Sequence, residues 1–308
     1  LTMPGSIAVI VPTFNAEAFV ERAISSAQGQ DHVAEIIAVD DASTDRTCDV
    51  VEALAKDDTR IRLIRNAANG GPSVARNAGI DAARSDWIAI LDADDAYGPD
   101  RFGPLLRRAD RDEADIVSDN LTYYDLPHDE ILGPAVHPEP AVQQVTLEKL
   151  FRSTPTGGRD YVTLKPVFRR DFLNKNRLRY DASIRNGEDF DILAKALLAG
   201  GKFVASLARA TYLYTTRESG TSKTLLDYDP VIAQSEKWLR HPAFRSDEEL
   251  RRLAEERIDI LRRRQLDRRT GEGGIAKRVG TLALALRSQA GREWLGDWFR
   301  ARLQPNPS

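Results

Sequence analysis

Cysteine is almost absent: Cys48 is the only one in 308 residues. That excludes an intrachain disulfide and a multi-cysteine zinc site, and it fits a reducing compartment. Histidine is scarce too. His32, His128, His137 and His241 show no metal-ligand spacing and read as surface or loop residues. Long apolar runs are missing. The run at 7–11 is too short for a signal-peptide core or a membrane span. Neither sign of charge dominates: 44 Lys and Arg face 47 Asp and Glu, a formal net charge of −3. Bulk charge therefore gives no reason to expect a nucleic-acid partner. There is no internal repeat, no low-complexity tract and no Walker A loop. What remains is an ordinary soluble composition, 42% hydrophobic and 30% charged. Its length suits one large domain or two smaller ones.

The first third of the chain alternates. SIAVIVP (6–12), EIIAVDDAS (35–43), IRLIRN (61–66), DWIAILDADD (86–95) and ADIVSDN (114–120) read as strands. Between them, 16–28, 44–57, 70–84 and 101–111 carry helical spacing. Ser43 or Thr44 is the expected N-cap of the second helix, and Pro72 suits the first turn of the third. Such alternation predicts βαβ units, hence an α/β fold whose mostly parallel sheet is flanked by helices. Ligands of these sheets bind beyond the carboxyl ends of the strands. Three strands end there in polar groups, at 13–15, 40–43 and 92–95, so these distant residues are expected to converge. Further on, the proline-rich stretch 125–142 reads as a loop and 147–152 as a short helix. A strand and a helix start are expected in 161–173. The stretch 186–204 reads as a helix led by acids and stopped at Gly200 and Gly201. After about Asp227 the chain turns helical, with 246–269 opening at a Ser246 cap and Glu249 three residues on.

Five clusters offer chemistry. Asp92, Asp94 and Asp95 place three carboxylates within four residues after an apolar strand. Alone, D-x-D-D reads as a solvated acidic turn; a hard divalent cation, Mn²⁺ or Mg²⁺, would offset the repulsion. In VDDAS, Asp40 and Asp41 offer acceptors for a base N–H, or simply cap a turn. In NGGPSVARN, Gly70 and Gly71 permit close backbone approach, and the helix start and Arg76 favour an anion. In NGEDFD, Glu188 and Asp189 either satisfy a helix dipole or supply a general base. In YTTRESGTSK, Arg217 with Ser219, Thr221, Ser222 and Lys223 is either a surface loop or a diphosphate clamp.

The order of these blocks is more specific than any one of them. VIVPTFNAEAFVERAISS, EIIAVDDASTDRT, NGGPSVARNAGI, WIAILDADD and GEDFDILAKALLAGG together resemble the family 2 glycosyltransferases of GT-A fold, over roughly 7–223. The narrower style is similar to bacterial exopolysaccharide enzymes of the succinoglycan type. The resemblance implies a nucleotide pocket lined by Pro12, Thr13, Phe14 and Glu17, with Asp40 beside it and Asp41 on the nucleobase. Gly70 and Arg76 fall near base and ribose. Asp92, Ala93 and Asp94 form the D-x-D, with Asp94 and Asp92 as metal ligands for Mn²⁺ or Mg²⁺. Asp189, paired with Glu188, matches the catalytic base. Arg217, Ser219, Thr221 and Ser222 match the loop closing over the diphosphate, although a histidine common there in relatives is missing. The region after Asp227 lies outside the family pattern.

These implications give three expected divisions: 1–120, a nucleotide-sugar-binding half; 121–226, the acceptor and base half of the same domain; and 227–308, a helical extension. The expected activity is inverting transfer of a hexose, glucose first, from a UDP-sugar to a saccharide acceptor on a lipid diphosphate carrier. The expected location is cytoplasmic, at the inner face of the membrane. The segment 277–304 mixes basic residues with Trp294, Leu295, Trp298 and Phe299 on one helical face, which suits a membrane interface or a packed partner helix. Two alternatives are a sugar nucleotidyltransferase and a non-catalytic glycan-binding or scaffold protein. The first should carry a glycine- and base-rich N-terminal signature, which VPTFNAE does not.

Overall fold

The computed structural model describes residues 5–153, 160–184, 187–216 and 228–271. These fall into two units, the last stretch forming the second. The first unit begins with the expected alternation: β1 (Ile7–Thr13), α1 (Val20–Gln28), β2 (Val33–Asp40), α2 (Thr47–Asp57), β3 (Ile61–Arg65), α3 (Pro72–Ala82) and β4 (Trp87–Ile90). It continues through β5 (Ala96–Tyr97), α4 (Phe102–Arg111), β6 (Ile116–Asp125), β7 (Glu130–Pro134), β8 (Val142–Val145) and α5 (Leu147–Phe151). It ends with β9 (Val167–Arg169), α6 (Arg170–Lys175), α7 (Glu188–Leu198) and β10 (Phe203–Thr216).

All these strands join one sheet in the order β3-β2-β1-β4-β9-β6-β10-β5, with β7 added beside β6 and β8 beside β10. β3, β2, β1 and β4 are parallel neighbours. β9 runs against both β4 and β6, so β6 and its parallel neighbour β10 regain the direction of β1. The carboxyl ends of these six strands therefore share one edge. Period-two patterning divides the faces. Val9 and Val11 pack into a core with Ile24 of α1, Val51 of α2 and Leu105 of α4. Ile10 points the other way, against Gly79 of α3.

Three expectations change. The stretch 125–142 is not a loop throughout: it carries β7 and the start of β8. The acid-led helix spans Glu188–Leu198, entered through Gly187 at φ +87° and followed, at the expected glycine stop, by Gly200 at φ +85°. Past the two glycines, Phe203 and Val204 open β10, a strand not expected from the sequence, which pairs with β6 along most of its length. In the second unit, helices Asp229–Arg240, Pro242–Ser246 and Glu248–Gly271 enclose Trp238, Phe244 and Leu261. Its long helix is capped by Asp247, whose Oδ1 accepts from the Glu249 and Leu250 amides at 2.9 and 3.1 Å, and not by Ser246.

Candidate active site

Two loops at the carboxyl edge lock each other. β1 ends at Thr13, whose carbonyl accepts the Asp41 amide at 2.9 Å. The Asn15 amide donates to Ser43 Oγ, and Asn15 Oδ1 accepts the Thr44 amide, each at 2.9 Å. Glu17 Oε2 accepts the Arg46 amide at 3.0 Å. Ser43 and Thr44 thus serve the neighbouring loop and do not cap α2. Asp45 satisfies that helix start, accepting the Thr47 amide at 3.0 Å. Pro12 is half-buried and Thr13 buried, whereas Phe14 is 49% exposed, an aromatic face presented on this edge.

Asp40 and Asp41 have separate jobs. Asp40 Oδ2 accepts the Ser43 amide at 3.0 Å and so shapes its own turn. Asp41 reaches across to the glycine turn before α3. Its Oδ1 accepts from Asn66 Nδ2 at 2.8 Å and the Gly70 amide at 3.1 Å, and its Oδ2 accepts the Gly71 amide at 2.7 Å. Gly71 sits at φ +86°, the left-handed region that favours glycine. A Cβ on Gly70 would meet the Val74 side chain at 2.9 Å. Pro72 then opens α3, as its fixed φ allows.

One turn into α3, Arg76 is buried beneath the edge. Its Nη2 donates to Asp92 Oδ1 at 3.0 Å and its Nη1 to Glu188 Oε1 at 2.8 Å; Asp189 Oδ1 is 3.6 Å from Nη1. The guanidinium also lies 5.2 Å from the Tyr180 ring centroid. Lys165 completes the cluster, with Nζ 2.7 Å from Asp92 Oδ2 and 3.1 Å from Asp189 Oδ2. Burial works to raise the Asp92 carboxyl, but Lys165 and Arg76 override it and hold it well below the usual range. Burial likewise opposes the charge on Arg76 and Lys165, and Asp189 and Asp92 outweigh it, so both stay cationic. The D-x-D turn and the Glu188–Asp189 pair meet through these two cations.

A second network lies behind the turn. Tyr212 Oη accepts the Asp92 amide at 3.2 Å and donates to Asp95 Oδ2 at 2.7 Å. Asp95 Oδ1 accepts the Thr215 amide at 2.8 Å, and Arg22 Nη1 donates to Thr215 Oγ1 at 2.9 Å. Burial, then Asp92 and Asp94, push the Asp95 carboxyl up to about 8. Asp95 thus belongs to the scaffold, and the half-buried Asp94 stands one residue nearer Asp92, with Ala93 buried between them.

This donor set fits a hard divalent ion. Three carboxylates of the first network face two cations, and Asp94 adjoins them, which leaves negative charge in excess. Both Asp92 oxygens are already in ion pairs, Oδ1 with Arg76 and Oδ2 with Lys165. Among the described residues no group of three His, Cys, Asp or Glu has ligand geometry. Mg²⁺ and Mn²⁺ need no such cage when substrate phosphates complete the shell.

Lys165, Tyr212, Thr215 and Arg22 escaped the sequence reading. Lys165 left one signal, a lone cation before Pro166 between the apolar residues Leu164 and Val167, both fully buried. Arg217, Ser219, Thr221, Ser222 and the segment 277–304 lie outside the described residues.

Residues 8–188 match the family model described as glycosyl transferase family 2. The chain is 39% identical to the succinoglycan biosynthesis protein ExoO of Rhizobium meliloti (strain 1021), over 77% of this chain and 69% of that protein. It is 31% identical to ExoU of the same organism, over 72% and 66% respectively. It therefore spans about two thirds of the length of each. Among solved structures, S. aureus TarS 1–349 in complex with UDP aligns at TM-score 0.63 and 19% identity, over 90% of this chain and 78% of that one. The same fragment with UDP-GlcNAc gives 0.62 and 20%, over 96% and 81%. That likeness concerns the fold, the GT-A form of the expected α/β sheet.

Proposed function

Because the chain belongs to glycosyl transferase family 2, we propose that it transfers a hexose, glucose first among the candidates, from a UDP-sugar to a saccharide acceptor with inversion. The acceptor proposed is a growing exopolysaccharide unit, in keeping with the succinoglycan-biosynthesis names of its relatives, carried on a lipid diphosphate. Residues 277–304 are proposed to rest in the membrane interface at the cytoplasmic face. The observation that carries the reading is the junction of Asp92 with Glu188 and Asp189 through Arg76 and Lys165. It sets a donor-side turn directly against a helix-borne carboxylate.

Each residue then has a task. Phe14 offers a stacking face for the base, and Asp41 fixes the Gly70–Gly71 turn beside it. Asp189 takes the proton from the acceptor hydroxyl as that oxygen attacks the anomeric carbon, so an α-linked donor gives a β-linked product. Glu188 holds Arg76, which fixes Asp92 and so the attitude of the turn. Arg217, with Ser219, Thr221 and Ser222, is proposed to stabilise leaving-group charge. A Mn²⁺ or Mg²⁺ ion on Asp94, with Asp92 in support, supplies neutralisation of the departing diphosphate when bound.

Asp189→Asn is expected to lower turnover of the UDP-sugar by about 10²–10⁴-fold while UDP affinity stays near wild type. Near-normal turnover in that variant would sink the base assignment. Asp94→Ala is expected to weaken Mn²⁺-dependent UDP binding in calorimetry. Unchanged affinity would remove Asp94 from the metal site.

A further inference from the structure

The first network holds a cation that the proposed reaction does not itself require. Arg76 already pairs with Asp92 and Glu188. Lys165 adds a link between Asp92 and Asp189, the two groups assigned to opposite ends of the reaction. We propose that Lys165 is a positioning residue: its ammonium is the strut that sets Asp189 at a fixed distance from the D-x-D turn. This rests on the reading of Asp189 as the base.

The geometry makes the strut specific. Lys165 Nζ lies 3.1 Å from Asp189 Oδ2, whereas Arg76 comes only to 3.6 Å of Oδ1. Lys165 therefore makes the shorter contact with the base and engages one oxygen of it. The other oxygen, Oδ1, faces Arg76 beyond good hydrogen-bond reach and keeps lone pairs for an acceptor proton. Asp92 and Asp189 would repel each other without a cation between them. Asp92 comes from the end of β4 and Asp189 from the first turn of α7, so no backbone hydrogen bond of either element sets their spacing. Burial disfavours the ammonium, yet Asp189 and Asp92 together keep it charged well above the ordinary lysine range.

The lysine's main chain is held independently of its side chain. Its carbonyl accepts from Arg101 Nη2 at 2.8 Å, and Arg101 is in turn paired with Asp119 at 3.0 Å. Leu164 and Val167 on either side are fully buried. Substitution at 165 therefore removes the strut and leaves the loop seated.

The test uses the full chain and hydrolysis of UDP-glucose, UDP-galactose and their N-acetyl forms, with water as acceptor, on whichever the wild type turns over. Misplacing a reacting group by about 1 Å costs on the order of 10²-fold. Lys165→Met is expected to lower kcat by about that factor, with UDP affinity, measured by calorimetry in EDTA so that the part of Asp92 in the metal site does not enter, within roughly threefold of wild type. Lys165→Arg, which keeps the charge, is expected to recover at least about tenfold of the lost kcat. The double variant Lys165→Met/Asp189→Asn should be no slower than Asp189→Asn alone, since the lysine acts through the aspartate. Lys165→Gln serves as the neutral variant if the methionine form does not melt cooperatively. Wild-type kcat in the neutral variant beside an inactive Asp189→Asn overturns the strut alone, as does a multiplicative loss in the double variant. Full turnover in Asp189→Asn overturns the base reading and the strut with it.

Discussion

Asp95 shows how a single carboxyl can change role between sequence and fold. By position it is the third acid of LDADD and a natural metal candidate. In the fold it is buried, accepts from Tyr212 and Thr215, and has its carboxyl pushed up to about 8. An unfolded aspartate titrates near about 3.9. Between about 4 and 8, then, the unfolded chain has released this proton while the folded chain keeps it. The contribution to stability is complete below the lower value and lost as pH rises to the upper one, at up to about 1.4 kcal/mol per pH unit. Asp95→Asn cannot ionise. Its urea midpoint, measured with EDTA present, is expected to vary less with pH across that window than the wild type's, and an identical pH dependence would refute the buried titration. The motif itself was legible: Asp92, Asp94, Glu188 and Asp189 were all picked out from the chain. Of their partners only Arg76 was, as an anion-favouring charge; Lys165 and Tyr212 were not, because a lysine or tyrosine acquires its role only from what folding places opposite it.

At the scale of elements, α3 does two things at once. Its start carries the glycine turn pinned by Asp41, and its body presses on β1. Gly79 is where the two backbones come closest: a Cβ there would run into the Ile10 side chain. Gly79→Ala is expected to cost about 1–3 kcal/mol through overpacking, read as a lower melting temperature. The cost of Gly79→Ala should be smaller in an Ile10→Ala background, which removes the γ carbons that the new Cβ would meet; an equal cost in both backgrounds would place the strain elsewhere. The early elements were readable because β-branched runs and helical spacing are local signals. β7 and the long β10 were not. β7 has exposed apolar residues, with Ile131 at 66%, and exists because β6 pairs with it. β10 changes register between Ser206 and Tyr212, which breaks the alternation that would announce a strand. Loop chemistry failed for a similar reason, since Ser43 and Thr44 were claimed by Asn15 rather than by their own helix.

For the whole molecule, the segment 277–304 bears on where the chain works. Among the described residues no helix is long and apolar enough to cross a membrane. If 277–304 lies in the interface, the full chain is expected to float with anionic liposomes and a chain ending before 277 to stay in the pellet fraction. Equal flotation of both would favour a packed helix.

The junction at Arg76 also has a kinetic side. Arg76 and Glu188 are 112 positions apart, Tyr212 and Asp95 117, and Thr215 and Asp95 120. Contacts of such long range carry the loop-closure entropy that slows folding. The Arg76–Asp92 pair, 16 positions apart, can form within one βαβ unit, but its link to Glu188 and the network behind the turn cannot. On refolding from urea, catalytic turnover should therefore return with the slowest structural phase, after helix signal has already recovered.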